Sequence, residues 1–336
     1  MRQRFIILVV ITVTLSACGG SQSAATSTPL PSDTPIAPPT LTATPTIPLA
    51  ILVLPADLDP ETSNLYQKTV YDLAQASGFR FQVRNSLTPA ELEPGLQIVI
   101  ALPPDPGIAA LAAAAPQVQF LAINIPEITA GGNISVLGNN SQTDVSAFLA
   151  GYTAALTTDD YRVGMLMPKD NPDALRALNA YASGMAFYCG ICRPFFFYNF
   201  SYPQYVEIPT DEDKAHYNAY ADILILQYKV LTIYLYPDIV TSDLENYIGT
   251  TGVSMIGTVT PEQRPAGWMM TIQPDVIQAI KNAWPALVSG QGGATVQSPL
   301  GLADIDSSLL SPGKKRLVEK TLSDLQAGLI NTGANP

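Results

Sequence analysis

The chain has 336 residues, of which 47% are hydrophobic and 13% charged, with a formal charge of −11, 3 Cys and 1 His. That apolar content supports a real core, and the length leaves room for two lobes of roughly 150 residues each. The excess of acid argues against a nucleic-acid partner, because phosphate binding needs basic patches.

The N-terminus reads as a targeting segment. Arg2 and Arg4 precede an apolar run from Phe5 to Val13, and Leu15-Ser16-Ala17-Cys18 fits a bacterial lipobox. The run is too short to span a bilayer, so residues 1–18 are expected to be a lipoprotein signal peptide with Cys18 as the lipid attachment point. Residues 19–48 are mostly Ser, Thr, Pro, Ala and Gly, as in Thr42-Ala43-Thr44-Pro45-Thr46. Such a segment cannot bury a core and is expected to be a disordered linker, reaching about 30 Å as a coil or about 90 Å as polyproline II. Together they place the folded part on the extracytoplasmic face of the cell membrane, held there by lipid.

Ala50-Ile51-Leu52-Val53-Leu54 is the first predicted strand, with Pro55-Ala56-Asp57-Leu58-Asp59 as its exit loop and a helix from Ser63 to Ala76. Strands at 79–83, 97–102 and 118–123 and an alanine-rich helix at 108–115 complete one doubly wound half. The strand 133–137 leads across to a second half. There Ser141 and Asp144 stand in capping-box spacing, and Val145, Phe148, Leu149, Tyr152 and Leu156 share one helix face. Ala147, Ala150, Gly151, Ala154 and Ala155 are small enough for close packing. Arg162 to Met167 is a buried strand, Pro168-Lys169-Asp170 its exit, and Asn171-Pro172 the cap and first turn of a helix reaching about Phe187. Further strands are expected at 193–198, 222–226 and 253–257, a polar helix near 211–220, and helices at 274–287 and 312–329.

Phe148-Leu149-Ala150-Gly151-Tyr152-Thr153-Ala154-Ala155-Leu156, followed by Arg162-Val163-Gly164-Met165-Leu166, resembles the helix–strand signature of the basic membrane protein family. These are substrate-binding lipoproteins of ABC importers, several of which bind purine nucleosides. Ala182-Ser183-Gly184-Met185 and Gly301-Leu302-Ala303-Asp304 resemble later segments of the family. The resemblance implies a type I periplasmic binding fold: an α/β protein of two doubly wound, Rossmann-like lobes with a hinge and an interlobe cleft. Lobe 1 would take residues 49–140 plus about 266–292, and lobe 2 residues 141–265 plus about 293–331. It also implies an ABC permease as partner, a small-molecule solute as ligand and no cofactor.

In such folds ligands sit beyond the carboxyl ends of the strands. The exit-loop candidates are therefore Asp57, Asp59, Asp105, Asn124, Lys169, Asp170, Gln227, Tyr228, Thr258 and Thr260, with Tyr66 as the aromatic placed to stack a ring. The family's nucleoside site is altered here. Its acids after the strand ending Ile256-Gly257 are replaced by Thr258-Val259-Thr260-Pro261, and no Lys stands at 271–273. Purine nucleosides are accordingly expected to bind weakly. Phe195, Phe196, Phe197, Tyr198, Phe200, Tyr202 and Tyr205 form an aromatic cluster expected to pack in the core, with stacking of a ligand by Phe200 or Tyr202 as the alternative. Cys189-Gly190-Ile191-Cys192 suits a small-loop disulfide or a free pair outside the cytoplasm. His216 lies in a polar stretch and reads as surface. With no Ser-His-Asp arrangement, Gly-rich phosphate loop or metal-ligand set, the chain reads as a binding protein and not an enzyme. The alternative is a membrane-tethered sensor or interaction module that kept the fold with a degenerate site.

Overall fold

A computed structural model describes residues 46–138, 142–193 and 200–334. The targeting segment with Cys18, the linker up to residue 45, Ser141 and the stretch Phe195–Tyr198 lie outside these described residues.

The first lobe is built from β1 (Leu49–Val53), α1 (Pro60–Ala76), β2 (Arg80–Arg84), β3 (Leu96–Ala101), α2 (Ile108–Ala114), β4 (Gln119–Ile123) and β5 (Ile134–Gly138). The second begins with α3 (Thr143–Thr157), β6 (Val163–Pro168), α4 (Pro172–Cys189), β7 (Gln204–Ile208), α5 (Tyr217–Asp222) and β8 (Thr232–Leu235). It continues through α6 (Ser242–Thr250), β9 (Ser254–Gly257) and β10 (Trp268–Pro274). Then α7 (Val276–Val288) and β11 (Thr295–Gln297) return to the first lobe, and β12 (Leu300–Ala303) and α8 (Pro312–Gln326) finish in the second.

Each lobe holds a six-stranded sheet, ordered β11-β5-β4-β3-β1-β2 in the first and β12-β10-β9-β8-β6-β7 in the second. All pairings are parallel except β10 with β12. Read from β2 or β7 inward, both sheets follow the same 2-1-3-4-5 order, so each has one switch point where the winding reverses. That order requires strands buried on both faces, and β1 shows it. Ala50 and Leu52 pack with Val70 and Ala74 of α1 and Ile280 and Trp284 of α7. Leu49, Ile51 and Val53 pack with Ile108 and Leu111 of α2. The Trp284 indole N–H donates to Ser77 Oγ at 2.9 Å, fixing the returning helix beside the end of α1.

The chain passes between the lobes at three places, after β5, after β10 and after β11. These passages are laced together. Gln142 Nε2 donates to the Ser298 carbonyl at 2.9 Å, and the Asp275 N–H donates to the Pro299 carbonyl at 2.7 Å. β10 belongs to the second sheet, so the return to the first lobe falls at Asp275 and not at the expected residue 266. The returning segment also includes β11, which extends it beyond residue 292. The reason is register: Trp268 to Thr271 pairs in parallel with β9 before the chain leaves.

A second correction concerns the apolar run 222–226. It is helical: α5 continues into a wide turn over Ile223–Gln227, with the Tyr228 N–H donating to the Ile223 carbonyl. Among its four aliphatic residues only Leu224 is buried, and Leu226 is 60% exposed, whereas Thr232 to Leu235 of β8 is buried throughout. A short apolar run alone does not separate a buried strand from a helix face.

In the second lobe α3 is enclosed from Ser146 to Leu156. This enclosure depends on two glycines. A Cβ at Gly151 would strike the Tyr181 carbonyl, and one at Gly184 the Phe148 carbonyl, so the backbones of α3 and α4 touch. Phe187 and Tyr188 then fold over Phe148 and Tyr152 with ring centroids 5.7–6.1 Å apart. Cys189 and Cys192 are joined by a disulfide at the end of α4. Because the neighbours are backbone and cannot rotate away, Gly151→Ala or Gly184→Ala should cost about 1–3 kcal/mol or more by overpacking. The readout is a lower urea midpoint; an unchanged midpoint for both variants would refute the contact.

Candidate functional site

The carboxyl ends of the strands carry acidic loops. At the first switch point, between β1 and β3, stand Asp57 and Asp105. Asp57 is exposed in the turn after β1. Asp59 caps α1, its carboxylate accepting from the Thr62 N–H at 2.9 Å, and that bond lowers its pKa. Asp105 likewise accepts from Gly107 and Ile108 N–H, both at 2.9 Å, at the start of α2. Asn124, after β4, is exposed with a left-handed backbone (φ 50°) that Asn tolerates better than most residues. At the second switch point, between β6 and β8, Lys169 and Asp170 are exposed. Asn171 caps α4 and reaches Asp238, in the exit of β8, at 3.5 Å.

Two candidates fall at the opposite edge. Because 222–227 is helical, Gln227 and Tyr228 precede β8 and lie at its amino end. There the Tyr228 carbonyl accepts from the Tyr202 hydroxyl at 2.6 Å and its ring meets Phe200 edge-on at 5.3 Å. Phe200 and Tyr202, which precede β7, are therefore packing residues away from the strand exits, and Tyr205 is exposed on β7. His216 is an exposed partner of Glu212, and that hydrogen bond raises its pKa.

A cavity of about 350 Å³ opens where the lobes meet. Thr62, Leu65 and Tyr66 of α1 form one wall, and Gln273 to Ile277 and Gly301 to Ala303 form the other. Its volume lies in the range of small-molecule sites. Tyr66 is half-buried, and its phenol pKa is raised first by burial and then by the negative charge of Asp275. Asp275 caps α7 through the Gln278 N–H at 2.8 Å.

Beside this cavity lies a polar cluster from three parts of the chain. Thr260 Oγ1 stands 3.1 Å from Gln273 Oε1 and 2.9 Å from Asp304 Oδ2. Thr271 donates to the same Asp304 oxygen at 2.7 Å and accepts from the Trp268 indole N–H at 3.1 Å. Asp304 has a left-handed backbone, φ 51°. The region that lacks acids in the sequence after β9 thus receives a carboxylate from the end of β12. Thr258 Oγ1, on the same loop as Thr260, is buried with no hydrogen-bond partner among the described residues.

Gln273, Asp275 and Asp304 were not among the expected site residues. Asp275 carries the signal of a cap before an amphipathic helix, and Asp304 ends the Gly301-Leu302-Ala303-Asp304 segment. A larger cavity, about 570 Å³, is walled by the starts of α3 and α4 and by the C-terminal tail, where the Thr332 hydroxyl donates to Asp144 at 3.0 Å. It involves the second lobe alone. Among the described residues no group of His, Cys, Asp and Glu is arranged to hold a metal ion, and no helix is long and apolar enough to cross a membrane.

No protein-family model and no curated protein matches the chain. Among solved structures it is similar to an ABC transporter system solute-binding protein from Conexibacter woesei DSM 14684, with a TM-score of 0.52 and 15% identity over 85% of this chain and 98% of that one. A second solute-binding protein, from Aeropyrum pernix K1, has a TM-score of 0.41 and 14% identity over 85% and 93%. A transcriptional activator of the comK gene from Bacillus halodurans has a TM-score of 0.47 and 12% identity over 84% and 98%. The first similarity shows the fold, a two-lobed arrangement of the type I periplasmic binding kind.

The connection from β9 to β10 contains no helix. It runs as a strap along α6, with Gly249 pressed against the Ala266 carbonyl. Beneath it Glu245 is 3% exposed, and its Oε1 has no partner among the described residues. Burial first, and the charge of Glu262 on the strap second, push its carboxyl up to about 7. A raised carboxyl pKa means that the folded state holds the proton more tightly than the unfolded chain. Its contribution to stability is complete below the unfolded value near 4.5 and declines as pH rises to about 7. Glu245→Gln should remove this decline and leave the protein about 1–2 kcal/mol more stable than wild type at pH 8, after allowing for solvent screening. Urea titrations at pH 4.5, 6 and 8 check it; parallel pH profiles for the two proteins would count against a neutral buried Glu245.

Proposed function

We propose that this chain is a lipid-anchored solute-binding protein on the extracytoplasmic face of the cell membrane. It captures a small polar molecule between its lobes and presents it to an ABC permease. One observation carries this reading: the cavity of about 350 Å³ is walled jointly by α1 of the first lobe and by the strands and passages at the hinge. A ligand there touches both lobes, so movement about the laced passages changes its contacts, which couples binding to lobe closure. The solute-binding name of the structural neighbour from Conexibacter woesei agrees with it. Arg2 to Cys18 supplies the lipoprotein signal and residues 19–48 the tether.

In this reading the strand-exit loops of both lobes face the solute, and Tyr66 offers its ring. The Thr260 hydroxyl and the Gln273 amide offer neutral hydrogen bonds. Purine nucleosides remain weak ligands, since the acids and lysine of the family's site are absent from their places in the sequence. Asp304 comes from a different segment and is held by two threonines.

Two experiments test the proposal. A thermal-shift screen of nucleosides, sugars, amino acids and amines should find a ligand that stabilises the protein by about 2.7 kcal/mol at a hundredfold excess over its Kd. Tyr66→Ala should weaken that ligand about tenfold, the loss of roughly 1.4 kcal/mol of ring contact. Equal affinity in the variant would place the solute elsewhere. For anchoring, Cys18→Ala should move the protein from the membrane to the soluble fraction, because lipid would be its only strong hold on the bilayer. Co-sedimentation of the variant with membranes as in wild type would overturn the lipobox reading.

A further inference from the structure

We propose that the solute is an organic cation, an ammonium or guanidinium compound with a short apolar or hydroxylated body, and that Asp304 and Asp275 are the residues that select its charge. The inference rests on the solute-binding reading above and narrows it to a ligand class.

The charges around the cleft are unbalanced. The cavity wall contains the Asp275 carboxylate, the Tyr66 phenol and the Gln273 amide, and no Lys or Arg. Asp304 adjoins it through Thr260, which also contacts Gln273. Among the described residues neither Asp275 nor Asp304 is in an ion pair. The switch-point loops add Asp57, Asp105, Asp170 and Asp238 against Lys169. Arg176, at the start of α4, is neutralised by Asp173 at 2.6 Å. Carboxylates of one sign around a cleft with low-dielectric walls focus a negative potential, which draws cations in and repels anions.

The Asp304 carboxylate is also fixed in direction. Both Thr260 and Thr271 donate to Oδ2, and Thr271 is held in turn by the Trp268 indole. Oδ1 accepts no hydrogen bond among the described residues. The two threonines spend only hydroxyl donors on the acid, so its charge is solvated locally but not neutralised. A ligand N–H would complete it as a charge-assisted hydrogen bond. The apolar part of the wall, Leu65, Val276, Ile277 and Leu302, suits the carbon body that carries such a group. A phosphate or carboxylate solute would instead meet two unpaired acids.

The test uses the full-length chain in detergent. Calorimetry is run with agmatine, putrescine and choline as cations, adenosine, guanosine and ribose as neutral probes, and glutamate and inorganic phosphate as anions. The expected result is binding by at least one cation that exceeds every neutral and anionic probe and weakens as salt rises from 20 to 300 mM (about tenfold or more). Asp304→Asn should weaken it by about tenfold to a hundredfold, as expected for one charge-assisted hydrogen bond. Asp275→Asn should also weaken it, and is a second variant that keeps its fold because Asn caps helices as well as Asp. Tighter binding of a neutral or anionic probe, lost in Tyr66→Ala, would overturn the cation assignment and leave the solute-binding reading standing. A cation bound equally well by both Asn variants would overturn the role of the two acids. Absence of binding by all probes at millimolar concentration would overturn the cation inference, and only a wider screen that also failed would sink the solute-binding reading.

Discussion

The second lobe depends on a contact that no side chain makes. Gly151 and Gly184 let α3 and α4 approach until carbonyl oxygens of one helix lie where a Cβ of the other would be. Everything around α3 follows from that approach. Its small residues lie against the sheet and α4, so Ser146 to Leu156 is buried with Phe148, Leu149, Tyr152 and Leu156 as its only large side chains. With α4 drawn in, its N-terminus, capped by Asn171, stands at the exit of β6 beside Asp238. The switch point of the second sheet is therefore positioned by helix packing on the far side of the strands. Interiors at this density transmit small displacements, because there is no slack to absorb them.

The hinge is the counterpart of that rigid contact. Three passages between lobes would be loose if each moved separately. The bonds from Gln142 to Ser298 and from Asp275 to Pro299 join them at a single level. The same level carries the cavity wall, so Asp275 belongs both to the hinge, through its N–H, and to the cavity, through its carboxylate. Its carboxylate caps α7 and so stays with Tyr66 on the first lobe, while Gly301 to Ala303 of β12 line the same cavity from the second. In the proposed solute-binding reading, a change in lobe angle alters the contacts a ligand makes with β12.

The sequence was informative where physics is local and less so where it is not. The inner strands β1, β3 and β4 of the first lobe read as continuous apolar runs, and Asn171 with Pro172 marked the start of α4, whereas α1 begins at Pro60 behind an Asp59 cap and not at the expected Ser63. The run Ile223-Leu224-Ile225-Leu226 misled because its composition suits a buried strand, and only the burial of Thr232 to Leu235 shows which segment occupies the sheet. That error carried Gln227 and Tyr228 to the wrong edge. Asp304 was hidden for a different reason. It is 44 residues from Thr260 along the chain, and their meeting at 2.9 Å is set by the antiparallel pairing of β12 with β10, the one reversal in either sheet. No local pattern announces such a pairing.

The contrast between Glu245 and Asp304 shows how the same lobe handles carboxyl groups by position. Glu245 is sealed under the β9–β10 strap with another acid nearby and no donor on Oε1, so the protonated form is the economical one. Asp304 stands at the open end of that same strap and accepts two hydroxyl hydrogen bonds, from Thr260 and Thr271. The strap links them through Glu262 and Thr260, two residues apart. Removing the proton from Glu245 places like charges under and on the strap, and the repulsion acts on the segment that holds Thr260 against Asp304.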